Sequence, residues 1–132
     1  MAKYRYPLGE HEKERIRSRT GRSLAELTLE NVRAGQVGPE DLSIHPDTLR
    51  AQAQIAEEAG FAQLAANLRR AAELANIPDQ KVLAIYEALR PYRVTYAQLL
   101  ALAEELERDY SAPESAKLLR EAAEVYRQRG LL

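Results

Sequence analysis

The spacing of apolar residues constrains the fold of this chain more than any other feature. From residue 46 to the end, apolar side chains recur at intervals of three and four residues through five successive stretches. The clearest has Val82, Ile85, Tyr86 and Leu89 at offsets 0, 3, 4 and 7, which is the pattern of one buried face on an α-helix. The sequence therefore predicts five consecutive helices over residues 46–132.

Short capping motifs indicate where the last two of these helices begin. Thr95 is followed three residues later by Gln98, and Ser111 is followed in the same way by Glu114. Both pairs match the capping box, in which two side chains satisfy free backbone N–H groups at a helix start. His45, directly before Pro46, occupies the cap position of the first of the five helices.

The periodicity also predicts which side chains form the core. The predicted stripes are Leu49, Ala53 and Ala56; Phe61, Leu64, Leu68, Ala71 and Ala75; Val82, Ile85, Tyr86 and Leu89; Tyr96, Leu99, Leu100, Ala103 and Leu106; and Leu118, Leu119, Ala122, Val125 and Tyr126. Leu74, Leu83 and Leu102 lie off the main stripe of their helices, either as additional core or as exposed faces that a partner could cover.

The first 45 residues are less regular. Ser23 with Glu26 is a further capping box and predicts a short helix, and a second short helix is predicted from Thr28 until Gly35. We expect an all-α fold in a single helical domain. Its expected parts are a basic arm over residues 1–22, short helices and turns over 23–45, and the main helical bundle over 46–132.

An apolar segment lies near the amino terminus. Tyr4, Tyr6 and Leu8 stand at alternate positions, and Pro7 favours an extended conformation at Tyr6. An extended terminal segment with three sizeable apolar side chains has little to hold it in an isolated chain. We therefore expect this extended arm to lie on a partner protein.

Charge is distributed unevenly along the chain. Residues 1–22 contain seven Lys and Arg against three acids, a local charge of +4. The remainder of the chain contains twelve Lys and Arg against seventeen acids, a local charge of −5. The basic segment could be a solvated charged helix, an arm for nucleic acid, or an arm for an acidic protein partner. No apolar run is long enough to span a membrane, and the amino terminus lacks the features of a secretory signal.

No catalytic constellation is visible in the sequence. The chain has no cysteine, which excludes disulfides and thiolate chemistry, and only two histidines, His11 and His45, in different segments. His11 and Glu14 could supply two ligands at helical spacing, which is too few for a structural zinc. The paired acids of the later helices are neighbours in sequence and point in different directions.

Several blocks of sequence resemble one known family over nearly the whole chain. The blocks are "YPLGEH", "LTLENVRAGQV", "LRAQAQIAEEAGF", "NLRRAAELANIPDQKVLAIYEALRPYR" and "AEVYRQRGL". In this order they are similar to the small (gamma) subunit of the coenzyme B12-dependent diol and glycerol dehydratases.

The resemblance implies a component of an enzyme with large, medium and small subunits, with two copies of each expected. Such an enzyme converts propane-1,2-diol, glycerol or ethylene glycol into the corresponding aldehyde and water with a radical generated from adenosylcobalamin. The resemblance also implies that the large subunit holds the substrate, the metal ion and the catalytic side chains, and that cobalamin lies between the large and medium subunits. For this chain it implies an open three-helix bundle with additional short N-terminal helices, and no catalytic, cofactor-binding or metal-binding residue.

The role expected of the chain is to dock on the large subunit. The candidate interface residues are Tyr4, Tyr6 and Leu8 in the arm, and Arg90, Tyr92 and Arg93 after the third helix of the bundle. Tyrosine and arginine are common anchors of protein interfaces. We expect no nucleic-acid or membrane partner.

Because the sequence begins almost directly at the "YPLGEH" block, without the extension that directs some relatives into bacterial microcompartments, we expect a cytoplasmic enzyme, or one that enters a compartment through another subunit. A stand-alone helical interaction module and a small nucleic-acid-binding protein remain as alternatives. Nothing in the sequence separates preference for diols from preference for glycerol.

Overall fold

The computed structural model describes residues 3–132, so Met1 and Ala2, the first residues of the predicted arm, lie outside the described residues. The α-helices are α1 (Leu8–His11), α2 (Leu29–Arg33), α3 (Pro46–Glu58), α4 (Ala62–Leu74), α5 (Asp79–Ala88), α6 (Tyr96–Tyr110) and α7 (Pro113–Arg129). Three 3₁₀ turns lie at Lys13–Arg15, Leu24–Glu26 and Pro39–Leu42. The described part of the chain has no β-strand, only an isolated bridge between Arg17 and Ser23. The prediction of an all-α fold is confirmed.

The chain divides into two compact units, the first ending at Ala72 and the second comprising Glu73–Leu132. The boundary falls in the last turn of α4.

A small alanine-rich core lies between α3 and α4 in the first unit. Ala53, Ala56 and Ala65 are buried there, with Leu68 packed against them. His45 caps α3 as predicted, because its Nδ1 accepts a hydrogen bond from the Asp47 N–H at 3.1 Å.

A buried carboxylate joins two irregular segments of the first unit. Asp41 accepts hydrogen bonds from the Ser18 hydroxyl at 2.9 Å, from the Gly38 N–H at 3.1 Å, and from the Thr20 hydroxyl. Arg22 lies 3.6 Å from the same carboxylate. The Thr20 hydroxyl contributes most to holding the pKa of Asp41 below its ordinary value, and the Gly38 N–H, Ser18 and Arg22 act in the same direction.

Three helices share the core of the second unit. Ile85 of α5, Leu99 and Leu106 of α6, and Leu119 of α7 form this core together with buried alanines. The pair formed by α6 and α7 is closely packed because alanines on both helices, such as Ala103, permit close approach.

The start of α6 agrees with the sequence prediction, whereas the residues after its end do not. Its start confirms the predicted capping box, since the Thr95 hydroxyl accepts from the Gln98 N–H at 3.2 Å and the Gln98 side chain accepts from the Thr95 N–H at 2.8 Å. The predicted box of Ser111 with Glu114 is wrong. Ser111 ends α6 in a left-handed conformation, with φ +51°.

A distant carboxylate caps α7 in place of the predicted serine. Ala112 occupies the N-cap position and has no side chain that could accept a hydrogen bond. Glu73 accepts instead from the backbone N–H groups of Glu114 and Ser115, at 2.9 and 2.8 Å, and from the Ser115 hydroxyl at 2.6 Å. A negative charge at a helix start is favourable, since the free N–H groups there carry partial positive charge.

Three of the predicted core stripes are partly wrong. In the stripe of α7, Leu118 and Val125 are exposed, and Leu119 is the buried member. Phe61 and Leu64 are exposed, and the buried positions near them are Ala65 and Ala72. Tyr86 is 58% exposed although it falls in the predicted stripe of α5. The i, i+3 and i+4 pattern spans a wide arc of a helix, and packing selects only part of that arc.

Candidate subunit interface

Neither histidine belongs to a metal site in the structure. Over residues 3–132, no group of three or more His, Cys, Asp or Glu side chains could hold a metal ion. His11 ends the single turn of α1, and the Nδ1 of His45 is engaged in capping α3. In the same part of the chain, no helix is long and apolar enough to cross a membrane.

The three arm residues with predicted interface roles lie in different environments. Leu8 is buried within the first unit, at 8% exposure, whereas Tyr6 is 76% exposed. Tyr4 is half-buried, and the guanidinium of Arg15 lies over its ring at 3.8 Å from the ring centroid. The structure therefore leaves Tyr6 as the accessible side chain of the three.

Local contacts hold the start of this arm against the residues that follow it, contrary to the expectation that little would hold it. The Arg5 N–H donates to the Glu12 carboxylate at 2.8 Å, and Arg15 donates to the Lys3 carbonyl at 3.2 Å and to Glu12 at 3.1 Å. The Arg5 N–H is the main cause of the lowered pKa of Glu12, and Arg15 adds to it. The arm therefore has a defined path without a partner.

The other predicted cluster lies directly after α5 and is exposed. Glu87, in the last turn of α5, pairs with Arg90 and with Arg93, at 3.2 Å in each case. Tyr92, between the two arginines, is 70% exposed. The structure thus gathers Arg90 and Arg93 around one carboxylate, and Tyr92 lies between them in the sequence.

Two hydrogen bonds fix the backbone of this segment to the end of the chain. The Tyr92 N–H donates to the Leu131 carbonyl at 2.8 Å, and the Tyr126 hydroxyl donates to the Leu89 carbonyl at 2.6 Å. Tyr92 has a φ of +62°. The chain therefore presents the ring of Tyr92 on an anchored turn.

The exposed face of α5 extends this cluster and was not predicted as a site. Leu83 is 67% exposed, and Tyr86 follows it by three residues, a spacing that puts both side chains on one side of a helix. The off-stripe position of Leu83 is a visible signal in the sequence, whereas Tyr86 fits the apolar stripe, which predicts a core position for it. We call Leu83, Tyr86, Arg90, Tyr92 and Arg93 the α5 surface.

Comparison with known proteins identifies the family. The family model described as dehydratase small subunit matches residues 1–132. The propanediol dehydratase small subunit of Citrobacter freundii is 47% identical over 124 residues, which cover 94% of this chain and 72% of that protein. The corresponding subunit of Salmonella typhimurium (strain LT2) is 48% identical over 124 residues, with the same coverage of both chains. This chain therefore belongs to the dehydratase small subunit family.

Proposed function

We propose that this chain is the small accessory subunit of an adenosylcobalamin-dependent dehydratase for propane-1,2-diol or glycerol. The observation that carries the proposal is its identity of 47–48% to two propanediol dehydratase small subunits over 94% of its length. The enzyme is a hydro-lyase that converts the diol into an aldehyde and water. The role proposed for this chain is binding, and the chemistry is assigned to other subunits.

The side chains of this protein support a role without catalysis. Radical elimination of water needs a bound cofactor and positioned polar groups around the diol. The described residues contain no group that could hold a metal ion. Three grooves in the first unit have volumes of about 110, 330 and 400 Å³, which lie below or in the lower part of the roughly 300–1,000 Å³ of small-molecule pockets. They do not fit a corrinoid, and we assign adenosylcobalamin, which supplies the radical, to the partner subunits.

The proposed partners are a large catalytic subunit and a medium subunit, with two copies of each of the three chains. We propose that the enzyme is cytoplasmic, or lies within a bacterial microcompartment that it enters through a partner subunit. No nucleic-acid or membrane partner is proposed.

The proposed contacts with the large subunit are made by two separate parts of the chain. In the arm, Tyr6 makes the contact, while Tyr4 and Leu8 hold the arm in place through their own packing. In the second unit, Arg90, Tyr92 and Arg93 make the contact.

Co-expression tests this proposal. The large subunit, carrying an affinity tag, is produced with the medium subunit, with and without this chain, and each preparation is analysed by size-exclusion chromatography and by a diol-to-aldehyde assay with added adenosylcobalamin. We expect the chain to co-elute with both partners and its omission to reduce assembly and aldehyde formation. If the chain elutes alone and its omission changes neither readout, the proposal is wrong.

A further inference from the structure

Tyr92 has a backbone conformation that large side chains rarely adopt. In the described part of the chain, positive φ values occur at four glycines and at two other residues, Tyr92 and Ser111. Left-handed backbone brings Cβ close to the following carbonyl oxygen, which is why glycine is preferred there and a bulky residue is an outlier. A tyrosine at such a position therefore needs an explanation.

The turn itself does not require a tyrosine. Pro91 followed by a residue of positive φ matches a type II turn, in which the second of these positions is ordinarily Gly or Asn. The hydrogen bond of Tyr92 to Leu131 comes from the backbone N–H, which glycine would also supply. The fold of the turn would thus be satisfied by a smaller residue.

The core of the second unit does not require the ring either. Tyr92 is outside the set of residues that form or line that core, and its exposure is higher than that of Tyr86 or Leu83. Ser111, the other exception, is a small polar residue whose N–H bonds to Leu106 at the end of α6, so it serves helix termination. Among the described residues, only Tyr92 combines a strained backbone with a large exposed ring. Strain of this kind concentrates at functional positions.

We propose that Tyr92 is the anchor residue of the α5 surface and inserts its ring into an apolar pocket on the large subunit of the dehydratase. The inference rests on the proposed function, because membership of a small-subunit family is what makes another subunit the occupant of this surface. The left-handed turn and its hydrogen bonds pre-position the ring, so little conformational freedom is lost on docking.

The neighbouring side chains define the chemistry of the partner. Leu83 and Tyr86 continue the apolar surface along α5. If a full tyrosine side chain offers about 200 Å² of surface, the exposed fractions of Tyr86 and Tyr92 together present on the order of 250 Å² to a partner. That is a substantial part of the roughly 800 Å² per partner in a standard interface. Arg90 and Arg93 share the single carboxylate of Glu87 and leave a net positive charge, so the rim of the partner pocket is expected to be acidic.

Binding of purified chains to an immobilised complex of the large and medium subunits tests the inference. Two variants remove the ring but suit the backbone: Tyr92→Gly and Tyr92→Asn. Ser111→Gly is the matched control, because it relieves left-handed backbone at a position outside the α5 surface. The thermal unfolding midpoint of each chain is measured in parallel by circular dichroism.

We expect both Tyr92 variants to bind at least about 30-fold more weakly, the loss typical of an interface anchor, with unfolding midpoints no lower than that of the unaltered chain. The control should bind as the unaltered chain does. If both Tyr92 variants bind with an affinity within threefold of that of the unaltered chain, the inference about Tyr92 is overturned while the proposed function stands. A clear fall in both midpoints would also overturn it, because the ring would then serve the chain's own fold. Failure of the unaltered chain to bind would remove the proposed function and the inference together.

Discussion

The left-handed backbone conformation of Ser111 costs free energy that a glycine at this position should not incur. Its φ is +51°, and its side chain is exposed. Glycine adopts this conformation without a clash, so Ser111→Gly should raise the free energy of unfolding by about 1 kcal/mol. Urea unfolding measures the change. Ser111→Ala keeps the clash and should give no gain; an equal gain from alanine would show that the backbone conformation is not the cause.

The contribution of Asp41 to the stability of the fold should depend on pH. Because its pKa is lowered in the folded chain, its hydrogen bonds contribute stability above the ordinary pKa of 3.8, and this contribution is lost as pH falls below that value. Asp41→Asn should therefore be less stable than the unaltered chain at neutral pH, and the difference should shrink in acid. Urea midpoints across this range measure it.

The control for Asp41 is Glu40→Gln, which alters an exposed carboxylate next to it. This variant should unfold as the unaltered chain does at every pH. A difference between Asp41→Asn and the unaltered chain that stays constant into acid would contradict the assignment, since it would not depend on ionisation of the carboxylate.

At the scale of elements, Glu73 controls the start of α7. Replacing its carboxylate by an amide, in Glu73→Gln, removes the charge and one of the oxygens that accept from Glu114 and Ser115. We expect a loss of about 1 to 2 kcal/mol in the free energy of unfolding, typical of a lost cap. Glu121→Gln, at an exposed position of α7, is the control and should change stability by less than about 0.5 kcal/mol. Equal effects of both changes would show that Glu73 is not a cap.

Alanine variants of Leu106 and Leu83 should distinguish a side chain needed for core packing from one needed for docking. Leu106 is fully buried in the core of the second unit, so Leu106→Ala should cost about 2 to 5 kcal/mol in thermal or urea unfolding. Leu83 is exposed on α5, so Leu83→Ala should leave stability within about 0.5 kcal/mol and weaken binding to the large subunit. A large loss of stability in Leu83→Ala would place this side chain in the core instead.

Helix positions were predictable where the signals are local. The box of Thr95 with Gln98 and the His45 cap before Pro46 each act over three residues or fewer, and both lie where the sequence places them. The start of α7 was not predictable in this way, because its cap comes from Glu73, 41 residues before the amide of Glu114. Local sequence patterns do not predict contacts between residues that are far apart in the sequence and meet only in the folded chain.

The candidate interface was only partly predictable for a related reason. Apolar spacing could not decide between Ile85 and Tyr86, which are about 100° apart around a helix. Ile85 is buried and Tyr86 is exposed. Leu8 was expected at an interface and is buried in its own unit. The positive φ of Tyr92 and the hydrogen bond of its N–H to Leu131 have no signal in the sequence either.

Across the whole molecule, different side chains serve folding and the proposed docking. The core of the second unit is built from Leu99, Leu106, Leu119 and small residues, whereas its exposed large side chains include Leu83, Tyr86 and Tyr92. A chain that belongs to a family of small subunits fits a role in assembly. We therefore expect this chain to change how much active enzyme forms.

Titration of the purified chain into a fixed amount of large and medium subunits measures this effect on the amount of active enzyme. The rate of aldehyde formation is followed with diol and adenosylcobalamin in excess. We expect the rate to rise with added chain and to reach a plateau near one chain per large subunit. A rate that is the same at every amount of added chain, including none, would contradict this expectation.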